Sequence, residues 1–444
     1  MPNSETPTVL IISYYWPPSS GSGVQRWMYF AKYLSDYGVT PLVLTVDPSK
    51  ASYRKIDEEF SDFVKDVKVY KTKTLEPLKL YSMLTTGSTK KGIPQGSVGA
   101  EKNGLFSKIS RYVRGNIFIP DARIGWKLYA VKAANKIITN NNIDLIITTG
   151  PPHSTHLIGR VLKRKYGIKW IADFRDPWVE IYYNQDLIRS VKSINKDKVL
   201  EKSVLVECDK ILVTAPSLKE LLCSKSPAIT SHKISCITNG YDSDKFNSIT
   251  TIKDSSVFTI TFIGLLTSNM PYLTICKAIK ELKESNPLAK IRLVLAGDIN
   301  ADFLTRMKEI LEPKNILYHG YVSHKDALQY SKNADLLFSC LPDQKESKII
   351  IPGKLMEYMA TYNPILLIGD PQSDAAELLA HHNNTCTVLP DNSKAAAQFI
   401  SESYGNWQSG KLQESDNTIL STLTRRHKTK QLAELIKKLI SKEK

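Results

Sequence analysis

Residues 258–298 read FTITFIGLLTSNMPYLTICKAIKELKESNPLAKIRLVLAGD, and this stretch decides the fold. The β-branched and aromatic run Phe258–Ile263 stops at Gly264, a helical pattern spans Tyr272–Glu284, and a second apolar run, Ile291–Ala296, stops at Gly297-Asp298. Strand, crossover helix and strand of this length specify a parallel pair, because parallel strands need a long connection between them.

Working outward, the alternation continues with helix Asp302–Leu311, strand Ile316–His319, helix Lys325–Asn333, strand Asp335–Ser339 and strand Pro364–Ile368. Upstream the same pattern starts with strand Val9–Ser13, helix Val24–Tyr37 and strand Pro41–Val46. It resumes in the runs Asp144–Thr148, Lys169–Ala172 and Lys210–Thr214. Two doubly wound α/β domains follow, 1–240 and 257–420, with a linker at 241–256 and a cleft expected between them. Residues 421–444 add a basic amphipathic helix, Thr424–Ile440, with Leu432, Leu435, Ile436 and Leu439 on one face. The Gly-, Ser-, Thr- and Lys-rich stretch Thr85–Ser107 reads as a mobile insertion.

At 444 residues the chain is long enough for two cores, and 42% apolar content fills them. No run reaches the ~18–20 apolar residues of a membrane span, and the short β-branched start is a strand rather than a signal peptide. Six scattered cysteines without a C-x-x-C give neither a zinc knuckle nor a disulfide framework, so a cytoplasmic setting is expected. The formal charge of +16 concentrates between Lys79 and Arg114, where Lys79, Lys90, Lys91, Lys102, Lys108, Arg111 and Arg114 face one acid, Glu101. Interleaved Leu80, Tyr81, Met83, Leu84, Phe106, Ile109 and Tyr112 favour an anionic membrane surface as partner over nucleic acid, since no RNA-recognition spacing is present.

Five segments carry candidate chemistry. In SKIIIPGKLMEYMATYNPIL (347–366), Pro352-Gly353 opens a helix on which Lys354 and Glu357 share a face. A lysine at a helix start suits a phosphate and a carboxylate one turn on suits a sugar diol, although an i,i+3 surface pair is the simpler alternative. In WPPSSGSGVQRW, Gly21 and Gly23 admit a diphosphate or sugar; Arg26 stands where a dinucleotide fingerprint needs glycine, so nicotinamide binding near Asp47 is disfavoured. DLIITTGPPHSTHL places His153 and His156 past a strand end, as polar contacts or structural histidines, with no third ligand for a metal. ADFRDPW offers Asp173 and Asp176 around Arg175, read as an Arg–Asp loop network or an acceptor contact. Asp242-x-Asp244 is read as turn and cap chemistry rather than a metal D-x-D motif.

In order, these pieces resemble the retaining glycosyltransferases of the family 4 type, which have the two-domain GT-B fold with two Rossmann-like domains facing a deep cleft and a C-terminal helix crossing back. The similarity runs through Tyr15-Trp16-Pro17-Pro18, Gly21-Ser22-Gly23, DFRDP, TNGYDSDKF, FIG, LAGD, HGYVSHKDALQYSKNADLLF and PGKLMEYMA. It implies transfer of a sugar from a UDP- or GDP-linked donor, held by the C-terminal domain, to a glycan acceptor on the N-terminal one. The acceptor is expected to be lipid-linked, in surface polysaccharide or lipopolysaccharide assembly, at the inner face of the plasma membrane. His153, Lys354 and Glu357 are the expected catalytic residues. Donor contacts fall to Gly21, Gly23, Gly264, Asn269, Tyr321, Val322, Pro352, Gly353, Lys354, Leu355 and Glu357, and acceptor contacts to Arg26, Arg175 and Asp176.

The chain departs from that pattern in two places. Ile349 stands where the family's first glutamate of E-x7-E faces the sugar, and GLLTSNMPYL lacks the usual Arg and Lys for the diphosphate. Lys354 is the replacement charge. No cofactor or metal is expected, because fixed cations and helix dipoles stabilise the leaving diphosphate. No carboxylate stands out as a covalent nucleophile, which favours front-face transfer. The competing readings are a nucleotide-sugar epimerase-like enzyme of the same fold, an inactive sugar-nucleotide-binding protein and a Rossmann dehydrogenase.

Overall fold

A computed structural model describes residues 6–53, 56–76, 105–181, 184, 186–411 and 418–441 of the chain. Most of the expected insertion, together with Lys79, Lys90, Lys91 and Lys102, lies outside the described residues. Two compact units form, one from residues 1–238 with 428–444 and the other from residues 239–427. Among the described residues no helix is long and apolar enough to cross a membrane.

The first unit is built on a seven-stranded sheet of order β3-β2-β1-β4-β5-β6-β7. Its strands are Thr8–Ile12 (β1), Thr40–Val46 (β2), Lys68–Thr72 (β3), Leu145–Gly150 (β4), Lys169–Phe174 (β5), Lys210–Val213 (β6) and Ile234–Cys236 (β7), paired in parallel throughout. β1, β2 and β4 to β6 are almost wholly buried, as strands covered by helices on both faces must be. The helix expected at Val24–Tyr37 runs Ser22–Tyr33 and tightens into a 3-10 turn, Leu34–Tyr37, closed by Gly38 at φ 66°. Leu432, Ala433 and Ile436 of the last helix, Arg425–Ser441, are buried in this unit's core beside Val9, Trp27 and Phe30.

The second unit carries a six-stranded parallel sheet of order β10-β9-β8-β11-β12-β13. The strands are Phe258–Ile263 (β8), Ile291–Ala296 (β9), Ile316–Tyr318 (β10), Leu336–Cys340 (β11), Ile365–Ile368 (β12) and Thr385–Val388 (β13). One apolar cluster centres on Phe258, Ile260, Ile279 and Leu295, and another on Leu355, Met356, Tyr358 and Leu367. Residues 241–256, expected as a linker, belong to this unit instead. Tyr241, Phe246 and Ile249 are buried in its second cluster, and the Asp242 carboxylate caps the short helix Ser243–Asn247 by accepting from the Asp244 and Lys245 amides.

Candidate functional site

In each sheet the strand order reverses once, between β1 and β4 and between β8 and β11. Ligands of open α/β sheets settle beyond the carboxyl ends of the strands at that reversal. The sequence-predicted residues collect at these two edges.

In the second unit, β8, β9 and β10 each end in a left-handed glycine: Gly264 at φ 124°, Gly297 at φ 137° and Gly320 at φ 67°. The Gly264 amide donates to Ala296, the Gly297 amide to Gly320, and the Asp298 amide back to Gly264, so the three chain ends lie side by side. A side chain at Gly297 would run into the Gly264 carbonyl. The edge is therefore bare backbone next to Lys354.

Lys354 opens the helix Lys354–Met359, which follows β11 and leans on the end of β8, where the Tyr358 hydroxyl accepts the Ile263 amide at 2.9 Å. Its Nζ lies 3.6 Å from the centre of the Phe262 ring, a cation–π seat, and close to Gly264. Burial pushes its pKa down to about 7, with the Cys340 thiol opposing weakly. Among the described residues no carboxylate forms an ion pair with it. Lys354 is half-buried, and an ammonium partly removed from water without a counter-ion is costly, a cost that an anionic ligand would relieve.

One turn on, the Glu357 carboxylate meets His324 Nε2 at 2.8 Å, both half-buried. His324 starts the helix His324–Asn333 behind the Ser323 cap. Sequence reasoning missed His324, because it stands 33 positions from its partner with no shared motif. Asn269 bridges two loops: its side chain accepts from the Thr267 hydroxyl at 2.6 Å, and its carbonyl accepts the Asp343 amide. Tyr321 is 56% exposed, Val322 half-buried, and a side chain at Gly353 would meet only open space. Leu355 does not fit its expected donor contact. Its side chain is fully buried in the core, and its amide is taken by the Pro352 carbonyl.

In the first unit, the β1 loop and the β4 loop are held together by Arg175. Its guanidinium donates to the carbonyls of Gly23, Gly150 (3.0 Å) and Pro151. That arrangement explains Gly23, where a Cβ would collide with the Arg175 guanidinium. Gly21, at φ 119°, precedes helix Ser22–Tyr33. Arg175 acts as a strut between these loops, with three of its five N–H groups given to backbone carbonyls.

Arg26 does not fit its expected acceptor contact. It is fully buried and paired at 3.0 Å with Asp173, which also accepts from Trp27 Nε1 (2.7 Å) and Thr149 Oγ1 (2.9 Å). Asp173 is thus the hub of a closed interior network and has no lone pair to spare for a substrate. Asp176 stays half-buried, its carboxyl raised by desolvation despite the nearby Arg175 charge.

His153 and His156 lie against Gly150, the one residue whose missing Cβ leaves room for both rings. His156 Nδ1 is 2.9 Å from Thr148 Oγ1, which also accepts from Trp170 Nε1 at 2.8 Å; the direction of the His156 bond follows the imidazole tautomer. Burial, then the Arg175 charge, lowers the His156 pKa to about 3. His153 lies face to face with Trp178 and makes no well-formed hydrogen bond through either ring nitrogen. Burial first, then His156 and Arg175, holds its pKa well below the ordinary imidazole value, with the Pro177 carbonyl opposing weakly. His153 is thereby neutral, with both ring nitrogens enclosed. Among the described residues no cluster of His, Cys, Asp and Glu could hold a metal ion.

Residues 257–406 match the family model described as Glycosyl transferases group 1. No curated protein sequence matches significantly. Solved structures that resemble the chain include an Anabaena protein in complex with UDP-glucose, 12% identical with TM-score 0.58 over 98% of each chain. The lipopolysaccharide outer core galactosyltransferase WaaB, in its apo form, is 11% identical with TM-score 0.57 over 97% of this chain and 99% of its own. A putative UDP-N-acetylglucosamine 2-epimerase from Listeria monocytogenes is 11% identical with TM-score 0.53 over 98% and 97%. The chain therefore has the two-sheet, Rossmann-like GT-B fold, with a group 1 glycosyl transferase domain over residues 257–406.

Proposed function

We propose that the protein transfers a sugar from a nucleotide-linked donor to a glycan acceptor. The observation that carries this reading is the half-buried, carboxylate-free Lys354 side chain beside Gly264, at the strand-order reversal of a group 1 glycosyl transferase domain. Lys354 takes the donor diphosphate in place of the basic pair missing from 264–273. Bare backbone at Gly264 and Gly353 lets that anion approach. Glu357, oriented by His324, accepts from the ribose hydroxyls, and the Tyr321–Val322 segment lies against the base.

As the sugar–phosphate bond lengthens, negative charge grows on the leaving diphosphate, and a desolvated cation stabilises it more there than in the ground state. Transfer is with retention and needs no metal, the departing phosphate taking the acceptor's proton. In the first unit, neutral His153 hydrogen-bonds a substrate hydroxyl. The acceptor is lipid-linked and belongs to surface polysaccharide assembly at the inner face of the plasma membrane.

Calorimetric titration of UDP and GDP, then of their sugars, into wild type and Glu357→Ala tests the donor assignment. Micromolar binding of one nucleotide, lost in the variant, supports it. Absence of binding to wild type overturns it. Turnover of a nucleotide-sugar without any acceptor would assign the site to an epimerase-like activity instead.

A further inference from the structure

The helix Val191–Glu207 is packed inside out. The face turned to the core carries Ser193, Asp197 and Glu201, all buried, with Val204 and Leu205. Asp197 accepts from Trp178 Nε1 at 2.7 Å and pairs with Arg189, and Glu201 pairs with Lys225 at 2.7 Å. The outward face carries Val191, Val199 and Val206, exposed to 74%, 67% and 40%, among Lys192, Lys196, Lys198 and Lys202. Among the described residues none of these four lysines is in an ion pair, and no exposed position of the helix bears a carboxylate.

A second helix continues this surface. Leu105–Asn116 contains no acid and exposes Lys108, Ile109 (43%) and Tyr112 (52%). Asn116 joins the two helices: its Nδ2 donates to the Ile188 carbonyl at 2.7 Å, and its Oδ1 accepts the Ser190 amide and the Ser193 hydroxyl. Gly115 lets the helix Leu105–Asn116 press against the Ile188 carbonyl and the Arg189 side chain.

We infer that this two-helix face docks on an anionic lipid bilayer. Its chemistry matches that partner on both counts. Aliphatic side chains exposed between lysines gain by entering the interfacial layer, and lysine stems lie along apolar surface while their ammonium groups reach lipid phosphates. A nucleic acid would use the charges but gain nothing from outward valines. The surface is separate from the donor residues of the second unit, so the inference stands whether or not Lys354 binds a nucleotide.

The experiment is co-sedimentation of the full chain with phosphatidylcholine vesicles, with and without phosphatidylglycerol. Wild type is compared with a charge variant (Lys192→Glu, Lys196→Glu, Lys198→Glu) and an apolar variant (Val191→Ser, Val199→Ser). Far-UV circular dichroism confirms the fold of each. Binding to phosphatidylglycerol vesicles that falls at least about tenfold in the charge variant, and also falls in the apolar one, supports the proposal. Failure of wild type to bind those vesicles, or unchanged binding by folded variants, overturns it. So does binding of duplex DNA in place of vesicles, lost in the charge variant and kept in the apolar one.

Discussion

The His153 imidazole is stacked on the Trp178 indole, ring centres 5.0 Å apart and planes 10° apart, and the indole N–H is anchored 2.7 Å from Asp197. A ring with no well-formed hydrogen bond of its own is thus oriented from behind by an aromatic plate that a buried carboxylate holds in place. Trp178→Ala removes the plate. It should destabilise the protein by about 3–5 kcal/mol and lower turnover beyond what the lost folded fraction explains. Urea denaturation and the rate per folded molecule separate the two effects. Wild-type turnover per folded molecule in Trp178→Ala would remove His153 orientation from the account.

His156 gives the stability an acid-side dependence. Its folded pKa, about 3, lies below the ordinary 6.5, so the unfolded chain takes up the proton first as pH falls. The stability from the neutral folded form is present above pH 6.5 and lost below it, by about 2 kcal/mol between pH 7 and pH 5 for this one group. Urea midpoints of wild type and His156→Asn across that range check this. The slope should be shallower in the variant, and equal slopes would count against the buried neutral imidazole.

Asp173 is the interior counterpart. Four donors, two of them from fully buried Arg26, converge on its carboxylate. Asp173→Ala leaves the Arg26 guanidinium buried without a counter-charge, which should cost about 3–5 kcal/mol. Asp173→Asn keeps the volume but removes the charge and turns one of the two acceptor oxygens into a donor, and should cost a similar amount. Chemical denaturation reads both, and a loss under about 1 kcal/mol in either would show that the pair is dispensable.

These interior roles mark the limit of what was legible beforehand. Long buried strands such as Leu145–Gly150 and Phe258–Ile263 announce themselves, because covering both faces demands continuous apolar runs. The edge strands Lys68–Thr72, Ile234–Cys236 and Thr385–Val388 do not, since they are short and mostly only half-buried. The glycines at strand ends and Lys354 at its helix start were readable from turn and cap chemistry. What Arg26 and Arg175 touch was not. A charged residue near a strand end looks the same in sequence whether it faces a ligand or closes a network across 147 positions, as Arg26 does with Asp173. The linker misreading had the same origin, since Tyr241 and Phe246 find their partners only in the folded second unit.

Lys354 supplies the most direct test of the donor assignment. Its folded pKa of about 7 lies below the ordinary 10.5, so between these values the unfolded chain holds more protons and stability rises with pH. That rise should flatten in Lys354→Met. Nucleotide binding should run the other way. A diphosphate beside Nζ favours the ammonium, so binding takes up a proton where the free side chain is largely neutral. Affinity should therefore fall as pH climbs from 7 to 9, by up to about tenfold per pH unit. Lys354→Arg, charged throughout, should lose that dependence, and Lys354→Met should bind weakly at every pH. Calorimetry with UDP and GDP in buffers of different ionisation enthalpy counts the protons. A wild-type affinity independent of pH from 7 to 9, with no proton uptake, would place the diphosphate elsewhere.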